Sequence, residues 1–309
     1  MTILLLILIN IIFPVFALIG VGAFLHRKFK FDMNTLSKIN TYLLMPVVSF
    51  ENIYKSKIGG DTLLHIFVFL VLQAILLILV SNGVSKLAKF DRGLSVTFSN
   101  SVVLNNSGNY GLPVSQLVFA DHPLGMSIQV VITIFQNLLT YTYGLLNVVS
   151  VHQNRWASLK EFFKTPVIYG ILAGLLLNAF NIEIPLFLWT PIENVANAFL
   201  CMALITLGAQ SATLKLTSFT LPLSLSLIGR LLLPPLLAIV LIYFLHLDGV
   251  TAQALLIASA YPTSRNSALF ALEYNNHPEY AAQAVLLTTM FSSVTVALVV
   301  YAARILFAV

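Results

Sequence analysis

The chain of 309 residues is 59% hydrophobic and only 9% charged, and its mean hydropathy is +0.93. This composition excludes a soluble globular protein and is typical of an integral membrane protein. The formal net charge of +5 comes from basic residues in the joints between apolar runs. That distribution argues against an exposed nucleic-acid-binding face. We expect membrane lipid, and no nucleic acid, to contact the protein.

The apolar runs are long enough to cross a membrane. A helix needs about 20 residues to span a hydrocarbon core of about 30 Å. Short polar joints separate ten such runs, which predicts an all-α integral membrane protein with ten transmembrane helices. The predicted spans are, in chain order, 3–25, 36–54, 62–88, 93–120, 123–150, 165–181, 190–211, 218–246, 249–274 and 278–308.

The basic residues in the joints predict the orientation of the chain. Eleven of them fall on one side of the alternating spans and three on the other, so the positive-inside rule places both termini outside the cell membrane. The predicted cytoplasmic side carries Arg27, Lys28, Lys30, Lys38, Lys86, Lys89, Arg92, Arg155, Lys160, Lys164 and Lys215, and the other side carries Lys55, Lys57 and Arg304.

The longest joint, VHQNRWASLKEFFK at residues 151–164, predicts an amphipathic connector that lies on the cytoplasmic surface. It divides the chain into a first set of five helices, residues 1–150, and a second set, residues 165–309. Since five is odd, the second set enters the membrane with the opposite polarity. The sequence therefore predicts a 5+5 inverted repeat.

Two polar interruptions occur at matching places in the two sets. LNNSGNYGLPV (104–114) interrupts the fourth span and ASAYPTSRNSAL (258–269) the ninth. The first begins, and the second is centred, about 18 Å into its span at the α-helical rise, so they meet at the midplane from opposite directions. Proline and glycine should split each span into half-helices that begin at Pro113 and Pro262.

Unwound backbone at this depth is tolerated only against protein or a water-filled cavity. The two breaks therefore predict half-helices that meet beside a central cavity, with helix N-termini that favour an anion. The alternative is a pair of proline kinks that only shape packing. We expect five residues to hold the backbone at the breaks: Gly108, Gly111, Pro113, Tyr261 and Pro262.

Arg265 is the first candidate ligand, because it follows Pro262 closely and its guanidinium can grip a carboxylate through two hydrogen bonds. The alternative is a structural cation that binds carbonyls freed at the break. Amide side chains near the breaks can offer both donors and acceptors to a substrate. The candidates are Asn105, Asn106, Asn109, Asn266 and Gln136, each of which could instead cap a helix or bond between helices.

Three further polar residues are candidates for structural or coupling roles. Arg230 lies in the middle of the eighth span, where a structural role is favoured because Pro234 and Pro235 free the carbonyls of residues 230 and 231. Asn137 could line the cavity or bond between helices, and Glu51 lies near a span end. With no carboxylate expected at the midplane, coupling to H⁺, to Na⁺ or to no ion stays open.

The placement of histidine and cysteine argues against an enzyme. The six histidines lie in joints or near span ends, so no midplane serine–histidine pair can form, and no zinc or haem site is expected. The single cysteine, Cys201, can form neither an internal disulfide nor a cysteine metal site. We expect no catalytic residue, metal or cofactor.

NNSGNYGLPV resembles the fourth-span signature of the auxin efflux carrier family of secondary transporters. Other segments resemble the second, fifth, seventh, eighth and ninth spans of that family, namely YLLMPVVSFENI, FQNLLTYTYG, MALITLGAQSA, RLLLPPLL and YPTSRNSAL. The resemblance covers the whole chain, and the short central joint is similar to that of the bacterial branch.

The resemblance implies a ten-span inverted-repeat carrier in which crossing broken helices lie in a mobile domain. The implied substrates are small carboxylates such as malate, malonate or auxin-like acids, and a homodimer is also implied. We expect transport by alternating access. A sodium-dependent bile-acid-type symporter of similar architecture and a membrane sensor of carboxylates that transports nothing remain open.

Overall fold

The computed structural model describes residues 5, 9, 12–55, 60–149, 166–212 and 219–308, so the predicted connector 151–164 lies outside the described residues. The described chain is helical between its joints. The α-helices are α1 (Phe13–Phe29), α2 (Met33–Ile39), α3 (Met45–Tyr54), α4 (Gly60–Leu87), α5 (Arg92–Val103), α6 (Leu112–Val118), α7 (Pro123–Leu139), α8 (Leu145–Val149), α9 (Pro166–Ala179), α10 (Leu186–Ser211), α11 (Leu221–Leu231), α12 (Leu233–Phe244), α13 (Gly249–Ser259), α14 (Arg265–Glu273) and α15 (Pro278–Leu306). π-Helical turns at Asn40–Leu44, Ser107–Gly111 and Thr140–Gly144 connect α2 to α3, lead into α6 and connect α7 to α8.

Several helical stretches have the length and composition of membrane spans. Among the described residues there are five of them, and two shorter apolar helices, Tyr169–Ala179 and Gly249–Ser259, accompany them. The all-helical fold is thus confirmed in the described part of the chain, whereas ten spans in an inverted repeat stay a prediction. The long stretches are Thr62–Leu87, Pro123–Val148, Leu186–Ala209, Leu221–Phe244 and Pro278–Leu306.

One bundle consists of α1, α3, α9 and α10. Its closest pairs are α1 with α10 and α3 with α9, and α3 also packs on α10. Small residues bring the backbones of α1 and α10 into contact: a Cβ added at Gly22 would lie 2.1 Å from the carbonyl oxygen of Ile205. A Cβ added at Gly208 would lie 1.9 Å from the carbonyl oxygen of Ile19.

The remaining helices surround the two interrupted segments. α13 packs against α7, α12 and α15, and its residues 252–259 are all buried. α5 packs against α4 and α11, and its residues 96–103 are buried as well. Both helices that lead into an interruption are therefore enclosed by protein, which is the environment that unwound backbone needs.

The two interrupted segments run in opposite directions. At one end of the molecule, Asn276 Nδ2 donates to the carbonyl of Gly93 at 3.0 Å and to Thr97 Oγ1 at 2.9 Å. At the other end, Arg304 Nη2 donates to the carbonyl of Val118 at 3.4 Å, at the end of α6. Gln253, in the first turns of α13, donates to the carbonyl of Phe307 at 2.6 Å. α5 and the joint after α14 therefore share one end, called the Asn276 end below, and α6 and the start of α13 share the opposite end.

Candidate functional site

The first interruption follows α5. Leu104 is extended, with φ −86° and ψ 115°, so the helix ends at Val103. The chain re-enters helix through the π turn Ser107–Gly111 and continues as α6, with Pro113 in its first turn. Proline fits there because the first turn needs no donor from its nitrogen.

The second interruption separates α13 from α14. The half-helix begins at Arg265, three residues later than the predicted start at Pro262. The reason is the cap: Ser264 Oγ accepts a hydrogen bond from the backbone N–H of Asn266 at 3.3 Å, which fixes the helix start after Ser264. Pro262 lies in the non-helical segment between α13 and α14, and its carbonyl accepts a hydrogen bond from the N–H of Asn106.

The interruptions pair with each other. Asn105 and Thr263 form an antiparallel backbone bridge. Its two hydrogen bonds run from the N–H of Asn106 to the carbonyl of Pro262 and from the N–H of Ser264 to the carbonyl of Leu104, both at 2.8 Å. Backbone groups freed by the breaks thus find partners inside the protein, where lipid could offer none.

Side chains complete this pairing. Thr263 Oγ1 donates to the carbonyl of Ser101 at 2.8 Å, and Asn105 Nδ2 donates to the carbonyl of Ala258 at 3.3 Å. The carbonyl of Ser107 accepts from Gln129 Nε2 at 3.0 Å and from Thr133 Oγ1 at 3.2 Å. Both sides of the crossing are therefore fixed by hydrogen bonds over long sequence distances.

A cavity of about 190 Å³ lies beside this pairing, and it gathers residues from α3, from the π turns, from α7 and from α14. Its lining consists of Met45, Asn105, Asn106, Ser107, Gly108, Asn109, Gln136, Asn137, Thr140, Ser264, Arg265, Asn266 and Leu269. The structure thus brings all the predicted amide candidates together with Arg265. Gly111, Pro113, Tyr261 and Pro262 lie at the breaks but outside this lining.

Several amide atoms at the cavity are buried without a protein partner. Asn105, Asn106 and Gln136 are 6%, 6% and 7% exposed. Their Oδ1, Nδ2 and Oε1 atoms, respectively, have no hydrogen-bond partner among the described residues. Leaving a buried polar group unsatisfied costs about 1–3 kcal/mol, so such groups normally bind a ligand or an ordered water. A polar occupant would therefore stabilise this site.

The charge of the cavity is positive. Arg265 is the one ionisable side chain among the described lining residues, and it is half-buried. It is also the first residue of α14, where the exposed N–H groups of a helix carry positive partial charge. With amides as the other main polar groups, the cavity suits a small anion that accepts hydrogen bonds.

A buried layer of tyrosine and serine closes the crossing on the side away from the Asn276 end. We call Tyr110, Ser115, Tyr261 and Ser292 the tyrosine layer; each of them is at most 1% exposed. Ser115 Oγ and the Tyr261 hydroxyl lie 2.7 Å apart, and Ser292 Oγ donates to the Tyr110 hydroxyl at 3.0 Å. Tyr261 therefore contributes its side chain here, in addition to the backbone role predicted for it.

Arg230 lies on α11 and is 1% exposed. Its Nη1 donates to the carbonyl of Val102 at 2.8 Å, and its Nη2 donates to the carbonyl of Ser259. The guanidinium thus contacts carbonyls of other helices. The sequence had pointed only to the carbonyls of residues 230 and 231, on the same span as Arg230. Burying a charged side chain is costly, and these two charge-assisted bonds help to offset that cost.

Glu51 is held away from the cavity. Lys55 Nζ lies 2.8 Å from Glu51 Oε1 and 3.7 Å from Glu193 Oε1, at the last turn of α3. The structure does not bring Glu51 to the cavity residues.

The sequence did not predict the polar lining residues Ser107, Thr140 and Ser264 or the apolar ones Met45 and Leu269. A signal for Thr140 was present: Gln129, Thr133, Gln136 and Thr140 recur at helical spacing and form a polar stripe in a mostly apolar segment. Ser264 could have been identified as a helix cap, because serine is preferred at the position before a helix starts.

Comparison with known proteins gives one family. The model of the family described as membrane transport protein matches the chain over residues 7–158 and 148–300. No curated protein matches the chain.

Proposed function

Because the chain belongs to the membrane transport protein family, the family of the auxin efflux carriers, we propose that it is a secondary transporter of small organic anions. The observation that carries the proposal is the cavity beside the two paired interruptions. It combines one arginine with buried amide atoms that lack protein partners, and its described lining contains no carboxylate.

The proposed substrates are small carboxylates such as malate, malonate or an indole acetate-like acid. A carboxylate accepts two parallel hydrogen bonds from a guanidinium, so Arg265 would bind the charged end. Asn105, Asn106, Asn109, Gln136 and Asn266 would bind the remaining polar atoms, with Asn137 beside them. Buried amide groups that are complementary to one ligand reject analogues that leave them unpaired.

Alternating access is the proposed mechanism. The tyrosine layer lies on one side of the crossing, whereas α14, which contributes Arg265, Asn266 and Leu269 to the cavity lining, runs toward the Asn276 end. The helices fall into two groups: the bundle of α1, α3, α9 and α10, and the helices around the interruptions. Sliding of the second group against the first would carry the cavity from one side to the other.

The proposed architecture is ten spans in two inverted sets of five. Two observations support it. The first span packs on the seventh (α1 with α10) and the sixth on the second (α9 with α3), which are equivalent pairs if the two sets are exchanged. The fourth and ninth spans are interrupted at corresponding positions and run in opposite directions. We propose a cell-membrane location with both termini outside, on the distribution of basic residues.

The test is exchange of labelled malate, malonate and indole acetate by the purified protein in proteoliposomes. We expect exchange of at least one acid by the unmodified protein and its loss in Arg265→Ala. Arg304→Ala is the matched control, because that arginine lies near the end of α15, outside the cavity lining, and should leave exchange intact. Imposed Na⁺ or pH gradients identify a coupling ion.

Each outcome has a distinct meaning. No exchange of any acid by a folded protein would reject the proposed substrates. Binding of an acid without exchange would favour a sensor, and exchange of larger acids that requires Na⁺ would favour a bile-acid-type symporter. Equal exchange in Arg265→Ala and the unmodified protein would reject the role of Arg265.

A further inference from the structure

Arg230 connects the ends of both helices that lead into the crossing. Val102 lies in the last turn of α5 and Ser259 is the last residue of α13. One guanidinium donates to the carbonyls of both residues, and it does so from a third helix, α11. Arg230 is absent from the cavity lining, so it acts without touching a substrate there.

The contact has an electrostatic consequence. A helix C-terminus carries roughly −0.5 of an elementary charge, so the ends of α5 and α13 together present roughly −1. A guanidinium carries +1 and cannot be deprotonated in a protein. Among the described residues, no carboxylate lies within ion-pair distance of Arg230, so its charge is directed at these carbonyls.

We propose that Arg230 is a positioning residue that makes the cavity selective for anions by neutralising the C-terminal ends of α5 and α13. The remaining charges at the crossing are then Arg265 and the positive start of α14. This inference rests on the proposed function, because it names the source of the charge selectivity of that same cavity.

If Arg230 only held α5 and α13 together, it would make the same two hydrogen bonds. The test therefore has to measure the electric field in the cavity. Asn266→Cys in a Cys201→Ser background places one thiol in the cavity lining. The pH dependence of its reaction with a small water-soluble alkylating reagent gives the pKa of the thiol. No substrate is needed for this measurement.

In the parent protein, we expect the pKa of this thiol to lie below the ordinary value of about 8.5. Arg230→Gln keeps an amide donor but removes the charge, and it should raise the thiol pKa by about one unit. Arg230→Lys keeps the charge and should leave the pKa close to that of the parent. Gln73→Leu is the matched control, because Gln73 is also buried and donates to a carbonyl, that of Pro234, at 3.1 Å.

An unchanged thiol pKa in a folded Arg230→Gln protein would overturn the proposal and show that Arg230 only holds the two helices together. If the glutamine variant does not fold, Arg230→Lys decides: a thiol pKa that rises although the charge is kept would equally overturn it. Failure of the proposed function is seen separately, as absence of exchange by the unmodified protein in proteoliposomes.

Discussion

Tyr110 and Tyr261 meet edge to face, with their ring centroids 5.8 Å apart, and each comes from a different interrupted segment. Both rings are fully buried and both hydroxyls are hydrogen-bonded, to Ser292 and Ser115 respectively. Edge-to-face aromatic pairs add about 0.5–1.5 kcal/mol beyond the burial of their area. The two segments are therefore joined by side chains on one side of the backbone bridge, as well as by the bridge itself.

Gly111→Ala should destabilise the protein through this contact. A Cβ at residue 111 would lie 2.5 Å from Cε2 of Tyr261 and 2.8 Å from Nε2 of Gln129, so the ring must shift. Overpacking of this kind costs about 1–3 kcal/mol. Thermal unfolding in detergent measures the loss.

Gly83→Ala is the control for this substitution. Gly83 lies within α4, and an added Cβ would meet nothing within 4 Å. Alanine is favoured over glycine inside a helix by about 1 kcal/mol, so this variant should be at least as stable as the unmodified protein. Equal melting temperatures for the two alanine variants would show that the tyrosine layer is loosely packed.

Substitution of Gln136 should affect substrate exchange, whereas substitution of Gln129 should affect the stability of the protein. Gln136 Oε1 faces the cavity without a partner among the described residues, so Gln136→Leu should keep the protein stable and lower exchange about tenfold. Gln129 Nε2 instead donates to the carbonyl of Ser107. Gln129→Leu removes this bond and leaves the Ser107 carbonyl with Thr133 Oγ1 alone, so it should lower stability by about 0.5–1.5 kcal/mol.

Exchange rates and unfolding temperatures of both variants, measured on the same preparations, check this pair. The interpretation fails if Gln136→Leu unfolds at a lower temperature than Gln129→Leu while exchanging at the unmodified rate.

Asp91 should make stability depend on pH in the acid range. It caps α5 by accepting a hydrogen bond from the N–H of Leu94 at 2.9 Å, and this bond, helped by nearby His277, lowers the pKa of its carboxyl. A depressed folded-state pKa stabilises the folded protein above the unfolded pKa of about 4. That contribution is lost as the pH falls through the folded pKa.

Asp91→Asn isolates the charge, because asparagine also caps helices well. We expect the unmodified protein to melt at a higher temperature than the variant at pH 7, and the difference to shrink by pH 3. A difference that stays constant over this range would show that the charge of Asp91 contributes nothing.

Local signals made the interruptions predictable. Asparagine, glycine and proline cluster in the middle of two apolar runs, and they located the non-helical segments around Asn105 and Thr263. The same reasoning selected Arg265 and the amides that the structure gathers at one cavity. It misplaced the start of α14, because the cap at Ser264 outweighed the preference of Pro262 for a first helical turn.

Contacts between distant residues could not be predicted from one sequence. Arg230 reaches Val102 and Ser259, residues far away in the chain, and no local pattern indicates which carbonyls a buried arginine will find. The Tyr110–Tyr261 pair is of the same kind. In each case the partner is determined by how the helices pack, which the periodicity of a single helix does not contain.

If the proposed function is correct, a small organic anion occupies the cavity beside the two paired interruptions. Protection of a thiol in Asn137→Cys, made in a Cys201→Ser background, tests this occupancy, because residue 137 lines the cavity. Glu183→Cys, at an exposed joint, is the control. An acid that the protein exchanges should slow alkylation of the cavity thiol in a concentration-dependent way and leave the joint thiol unaffected. Equal alkylation of the cavity thiol with and without a saturating concentration of that acid would show that the acid does not occupy this cavity.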